Sequence, residues 1–491
     1  MRRIFLALII FSSLFASKSL GQWSAPINLS PNGDTCSMNE SMGSCLGVSG
    51  DTVHVIWSKK INAHHAQLYY TRSVDTGMSW SYLTNITTTD GNAWNPAIAV
   101  NGQNIHVAWR EIDTVTGRRA SWYKHSLDGG NTWSASMFLD STADWPAIAV
   151  SGNKIYIAND RVVSQSPYNT EIFFMYSLDN GSTWSNPQQL TNAFGRSEDE
   201  SITAEGSQVH MSWNDNRTGQ FQIFYKHSSD FGVTWGPDVV VDTQFDYNTM
   251  VCTDGAYVDV ISCGAPSGHY QLLFAQSLDT GATWSTTNMD LSNETAHTYF
   301  LPHMTRYGCD LHVVSNSNGG AKYFHSGDGG TTWDTAFAMT GGNFIAYTGH
   351  VLHVVNINSN HNVSYTRNTT GNAGLPCFPT ETKELSNQSQ NISIYPNPAT
   401  NLLNVSLANK NQNVIINFYN IYGQLIINNG QLYRLNRYDN KATTMSNSSG
   451  ISIAIPIQSV QLSIDKLPCG VYFLEVIANG ERTVKKVIKM N

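Results

Sequence analysis

Apolar and polar residues alternate in short runs along most of the chain. Around residues 96–134 the pattern reads Pro96-Ala-Ile-Ala-Val100, the turn Asn101-Gly102, Ile105-His-Val-Ala-Trp109, and then Ser121-Trp-Tyr-Lys-His125. A period of two, punctuated by Gly and Asn, predicts strands and tight turns, not helices. Trp133-Ser134 then opens a fourth strand. The second-strand pattern returns seven times, at 53–57, 105–109, 155–159, 209–213, 258–262, 311–315 and 352–356.

A second signal runs in register with the first. Ser73-Val-Asp75-Thr-Gly77-Met-Ser79-Trp80 recurs around Asp128, Asp179, Asp230, Asp279 and Asp328, at intervals of 49 to 53 residues. The copies end in Trp133, Trp184, Trp235, Trp284 and Trp333. A period near 50 with strand-like content predicts a β-propeller, one four-stranded sheet per repeat. The last unit has only a degenerate copy at 365–371 with no Trp after it. However, Gln22-Trp23-Ser24-Ala25-Pro26 matches Thr183-Trp184-Ser185-Asn186-Pro187. The mature N-terminus therefore supplies the missing strand, closing the ring and hiding two sheet edges. The expectation is all-β with seven blades. Six is the alternative, if the last unit is only a cap.

The motif S-x-D-x-G-x-T-W resembles the Asp-box, or bacterial neuraminidase repeat. The resemblance implies a structural hairpin on the propeller periphery. The residue chemistry agrees. Asp and Ser bond their own turn's N–H groups, Gly tolerates positive φ, and Trp offers an apolar plate. Residues repeated once per blade cannot form a single site. The six Asp residues are accordingly read as structural. So are His54, His106, His210, His312 and His353, which share one strand position, and His125, His227 and His325, which share another. No metal or cofactor is expected. The adjacent His64 and His65 fall outside the repeat.

Composition narrows the class. Only 13% of residues are charged, against 38 Gly, 13 Trp and 22 Tyr. A net charge of −8 argues against a nucleic-acid surface. Residues 1–21 read as a signal peptide: Arg2 and Arg3, an apolar run, and small residues before Gln22. No later stretch is long and apolar enough to span a membrane as a helix. Seven cysteines leave at least one unpaired within a monomer. Cys36 with Cys45, and Cys263 with Cys252 or Cys309, are possible pairs.

After the propeller (22–371) a polar linker (372–391) leads to a different pattern at 392–491. Tyr395-Pro-Asn-Pro398, Tyr422-Gly423 and Leu467-Pro-Cys-Gly470-Val-Tyr-Phe473 occur in order. Alternating strands and turns predict a small β-sandwich of about seven strands. The segment resembles the C-terminal sorting domain of the type IX secretion system of Bacteroidetes. That resemblance implies export by Sec and then across the outer membrane, and a secreted or cell-surface location. The insertion near 430–460 is expected to be a long loop.

Candidate chemistry lies in loops before first strands and after second strands, where propeller ligands bind. Ahead of first strands are Trp94, Asp144-Trp145, Arg196-Ser-Glu198-Asp199-Glu200, Asp246-Tyr247, Tyr299 and His303. After second strands are Arg110-Glu111, Asp160-Arg161 and Asp215-Asn-Arg217. Trp94 and Trp145 suit stacking on sugars. Arg110, Arg161 and Arg217 could converge on a carboxylate, or each could brace its own loop by an ion pair. Glu198, Asp199 and Glu200 could serve acid–base chemistry, or form a solvated loop. Resemblance to sialidases would imply an arginine triad, a Tyr–Glu nucleophile pair and an acidic acid/base. No Arg-Ile-Pro motif occurs near the first blade. The favoured reading is a noncatalytic propeller that binds a glycan or protein. The alternative is a sialidase-like, glycoside-active enzyme.

Overall fold

The fold is taken from a computed structural model. It describes residues 23–369 except 40–41, 64, 90, 243–245, 266–268, 286–288, 293–296 and 349–350, together with strand segments between 392 and 489. The expected signal peptide, His64, the linker, and the Pro-Asn-Pro and Tyr422-Gly423 motifs lie outside the described residues.

Among the described residues there is no helix. Seven antiparallel sheets follow one another from residue 27 to 368. Blade 2 is representative, with strands Asn92–Asn101, Asn104–Ile112, Arg119–Ser126 and Met137–Asp140. Its fourth strand begins past Trp133, later than the sequence pattern predicts. Ser134 N–H still donates to the His125 carbonyl at 2.8 Å, so the chain is already tied to the third strand there. First strands of successive blades touch and form the inner ring, including Phe344–Tyr347 of blade 7 against Leu46–Ser49 of blade 1.

The ring closes through the N-terminus. Ile27–Asn28 pairs antiparallel with Val363–Asn368, Ile27 opposite Tyr365, and Trp23 bridges Asn368. Blade 7 thus takes its fourth strand from the start of the chain, and the blades number seven. Blade 1 differs only in its split first strand. Cys36–Ser37 and Leu46–Ser49 both pair with Thr52–Asn62.

One aromatic contact recurs at every blade interface. Trp80, Trp133, Trp184, Trp235, Trp284, Trp333 and Trp23 meet Tyr365, Tyr70, Tyr123, Phe174, Tyr225, Phe274 and Tyr323 edge-to-face, with centroids 4.8–5.3 Å apart. This T-shaped geometry is the one that ring quadrupoles favour. Wherever that partner is Tyr, its hydroxyl meets a second-strand imidazole Nδ1 of its own blade at 2.7–2.8 Å: His54, His106, His210, His312 or His353. Blades 3 and 5 have Tyr156 and Asp259 at the His position and Phe174 and Phe274 opposite, rings with no hydroxyl for an imidazole to hold. Asp259 is balanced by fully buried Arg306 of blade 6.

The boxes have a common wiring. In each, a Ser hydroxyl donates to Asp Oδ1 at 2.7–2.9 Å. The hydroxyl four residues after the Asp donates to Oδ2 at 2.6 Å. Those bonds hold Asp128 and Asp179 down to about 2. The six Asp residues are therefore occupied within their own turns.

Two expectations need correction. The cysteine pairings do not form: Cys36, Cys45 and Cys252 keep free thiols, and Cys263 is not disulfide-bonded. Cys45 instead donates to the Pro96 carbonyl at 3.2 Å, and burial pushes its thiol up to about 12. Cys309 is disulfide-bonded. Among the described residues of the C-terminal region, eight strands form a three-stranded and a five-stranded sheet. The insertion expected as a loop contains the hairpin Met445–Asn447 and Gly450–Ile453, which pairs with Val414 and Ile415.

Candidate functional site

Five consecutive first strands carry the same irregularity. In blades 2 to 6 two residues oppose one, at Asn95-Pro96, Trp145-Pro146, Asp199-Glu200, Asn248-Thr249 and Leu301-Pro302. The first of each pair has positive φ, between 47° and 56°. Positive φ at Trp and Leu is uncommon and costs free energy. A bulge of this kind re-aims side chains at a strand end. Trp94, Asp144, Glu198, Tyr247 and Phe300 precede the five bulges and are equivalent. Trp94 is therefore equivalent to Asp144, not to Trp145.

The bulges gather carboxylates where blades 3 and 4 meet. Asp144 lies directly opposite Asp160 in register. Glu200 occupies the place held by Pro96, Pro146 and Pro302 in other blades. It is buried, and neither carboxyl oxygen has a hydrogen-bond partner. Burial raises its pKa, and the nearby Asp160 carboxylate raises it further. Asp160 is raised likewise, by burial and then by Asp144. Burial and the neighbouring carboxylates thus push both groups well above the ordinary carboxylate range. Glu198 is pushed up to about 7 by burial, with Arg196, 3.6 Å away, pulling the other way. Asp199 accepts from Asn214 Nδ2 at 3.0 Å.

The three arginines of interest end on different carboxylates. Arg110 donates to Asp144 at 2.9 Å and lies 4.9 Å over the Trp145 ring. Arg119 binds the other oxygen of Asp144. Arg161 pairs with Asp140 of blade 2 and stacks on Phe173. Arg217 forks onto Asp215 at 2.6 and 2.8 Å, reaches Asp238 at 2.7 Å, and covers Phe224. Arg110, Asp144 and Trp145 thus come together, and so do Asp160, Glu198, Asp199 and Glu200. Trp94, half-buried opposite Arg110, sits on blade 2 at the edge of this group.

A cleft of about 770 Å³ opens over the same junction. Ser164, Tyr168 and Asn169 line it from the long second–third hairpin of blade 3, and Phe194, Arg196 and Asn216 from blade 4. Arg217 also reaches it. Phe194 is 83% exposed and Tyr168 49%. Asp160 and Glu198 both raise the Tyr168 phenol, after burial, which links the cleft to the carboxylates. Tyr168, Asn169 and Phe194 are not marked by the repeat. Their signal is indirect: the blade 3 strand Lys154–Gln165 outruns its 8-residue counterpart Gln208–Asp215, and Phe194 is an apolar residue within a polar loop.

A family model described as BNR repeat-like domain matches residues 8–260, more than half of the chain. A secretion system C-terminal sorting domain matches residues 393–451. No curated protein matches the chain. Among solved structures, a PL25 ulvan lyase bound to a GlcA(1-4)Rha3S unit is similar, with 11% identity, 70% of this chain and 95% of that chain covered, and a TM-score of 0.50. The Hadza microbial sialidase Hz136 is 13% identical, with 66% of this chain covered and a TM-score of 0.41. This chain spans 64% of that sialidase's length. A protein of unknown function from Dyadobacter fermentans is 12% identical, with coverage of 70% and 99% and a TM-score of 0.42. At such identities the likeness is one of fold alone.

Proposed function

The chain belongs to the BNR repeat-like domain family and ends in a secretion-system sorting domain, and from that premise we propose that this secreted propeller binds a neutral glycan in the cleft between blades 3 and 4. The observation that carries the reading is the pairing of exposed Phe194 and Tyr168 with Asn169 and Asn216 in one cleft. Aromatic faces stack on sugar C–H groups while amides satisfy hydroxyls. Neutrality follows from the arginines. Arg110, Arg119, Arg161, Arg196 and Arg217 each pair with a carboxylate, and the same face holds Asp160, Glu198 and Glu200. An anionic sugar would have to displace those pairs. Export runs through Sec by residues 1–21, then through type IX machinery that reads the C-terminal domain.

A glycan array with the mature chain, followed by calorimetry on the best neutral hit, tests the proposal. Phe194→Ala and Tyr168→Ala should each weaken binding about tenfold, the effect of losing roughly 1.4 kcal/mol of ring contact. Selective capture of sialosides, or affinities unchanged by both variants, would overturn it. One observation favours a glycoside-active alternative: Glu198, near neutrality in its titration, stands beside a cleft containing a tyrosine. Turnover of the bound glycan, lost in Glu198→Gln with binding retained, would establish that reading.

A further inference from the structure

We propose that Asp310, His312 and His325 form a divalent transition-metal site in blade 6, of the class that takes Zn²⁺. Asp310 and His312 lie two apart on the strand Asp310–Ser317 and so share a face. His325 is directly opposite His312 in register, and the rings stack with centroids 4.9 Å apart. One ligand atom from each residue lies within 4.8 Å of the others, and Asp310 Oδ1 is 3.6 Å from His325 Nε2. His312 Nε2, His325 Nε2 and Asp310 Oδ2 are buried without hydrogen-bond partners. The remaining ring nitrogens are both held, His312 Nδ1 by the Tyr323 hydroxyl at 2.8 Å and His325 Nδ1 by Asp334 at 2.7 Å. That is the outer-sphere arrangement which orients metal-binding imidazoles.

The other blades separate this cluster from the repeat. A second-strand His held by a Tyr hydroxyl recurs in four other blades, so His312 by itself is explained by packing. Blades 2 and 4 also have the facing His125 and His227. At the position of Asp310, however, they carry Asn104 and Gln208, and Gln208 simply hydrogen-bonds His227 at 2.5 Å. Asp334 stands where Ser81, Ser134, Ser185, Gly236 and Ser285 follow the other box tryptophans. Blade 6 alone therefore departs from the repeat twice, each time by adding a carboxylate beside an imidazole. Two imidazoles and one carboxylate suit Zn²⁺ better than the all-oxygen cations. Zn–ligand bonds of about 2.0–2.2 Å put tetrahedral donors about 3.4 Å apart. The Asp310–His325 edge is already near that value, and small side-chain rotations close the others.

The test uses the full mature chain, stripped with a chelator and titrated with Zn²⁺ near neutral pH. A single bound equivalent is expected by calorimetry and elemental analysis. It should disappear in the Asp310→Asn/His325→Gln double variant and weaken about 10- to 100-fold in Asp334→Asn. His210→Gln in blade 4 should leave it unchanged. Co²⁺ bound to the wild type should give a visible spectrum without a thiolate charge-transfer band, a readout independent of whether the variants fold. No Zn²⁺ uptake by the wild type, equal uptake by the double variant, or a thiolate band would each overturn the proposal.

Discussion

Glu200 separates what a local pattern can tell from what it cannot. In the sequence it ends an acidic run, and acidic runs usually mean solvent. The bulge decides otherwise, placing Glu200 in a slot that proline fills in three other blades. Sequence alignment of bulges would be needed to see this, because burial is set by the neighbouring blade. A carboxyl whose pKa is raised by folding keeps a proton that the unfolded chain has lost. Its contribution to stability is full below the unfolded value of about 4.3 and is lost as pH rises toward the folded one. Both Glu200 and Asp160 act in this sense. Wild-type stability should therefore fall as pH rises out of the unfolded carboxylate range toward neutral and beyond. Glu200→Met removes an unpartnered buried carboxyl at similar volume, and should be about 1–3 kcal/mol more stable than wild type at the upper end. Its pH slope should be shallower as well. Urea unfolding at three pH values checks both, and parallel curves for the two proteins would show that Glu200 is not the group responsible.

The box hairpin and its strands were far more legible, because each of its residues acts on its own turn. Ser, Asp and Gly specify the loop through bonds spanning two to four residues. The sequence alone does not reveal that the box glycine is also an interblade contact. Gly181 has φ +82°, and a Cβ there would land on the Tyr123 hydroxyl of blade 2. Gly102 shares the left-handed conformation, with φ +61°, but has open space around it. Gly102→Ala should thus cost only backbone strain, about 1–2 kcal/mol. Gly181→Ala should cost that and more, about 2–4 kcal/mol, because the ring it strikes is pinned between His106 and Trp184. Equal losses in chemical denaturation would mean that the hairpin's turn, not its seat on the next blade, governs stability. The site's arginines stand at the opposite extreme of legibility. Arg217 meets Asp215 two residues away, the local bracing pair that its spacing suggests, but Arg110 and Arg161 reach Asp144 and Asp140 of neighbouring blades by geometry that no spacing encodes.

At the scale of the molecule, the ring depends on one contact between residues over 330 positions apart. Ile27–Asn28 adds the last strand to blade 7, Ser30 Oγ accepts from Val363 N–H at 3.0 Å, and Trp23 covers Tyr323 of blade 6. Six interfaces are joined by continuous chain, whereas at the seventh the N-terminal strand is the covalent link, added to the contacts of Phe344–Tyr347 with Leu46–Ser49 and of Trp80 with Tyr365. Such long-range pairing is favourable only after the rest of the ring has formed. Its removal leaves Val363–Asn368 as an open edge able to pair with another chain. Deleting residues 23–30 should therefore do more than delete contacts. Trp80→Ala provides the comparison, since Trp80 makes the same ring contact with Tyr365 but frees no strand edge. It should lower the unfolding temperature while the protein stays monomeric. The deletion should lower it further and make it depend on protein concentration, with larger species appearing in size-exclusion chromatography. If the deletion behaves like Trp80→Ala and remains monomeric, the edge is protected by something other than the N-terminal strand, and closure is not what stabilises the seven-bladed ring.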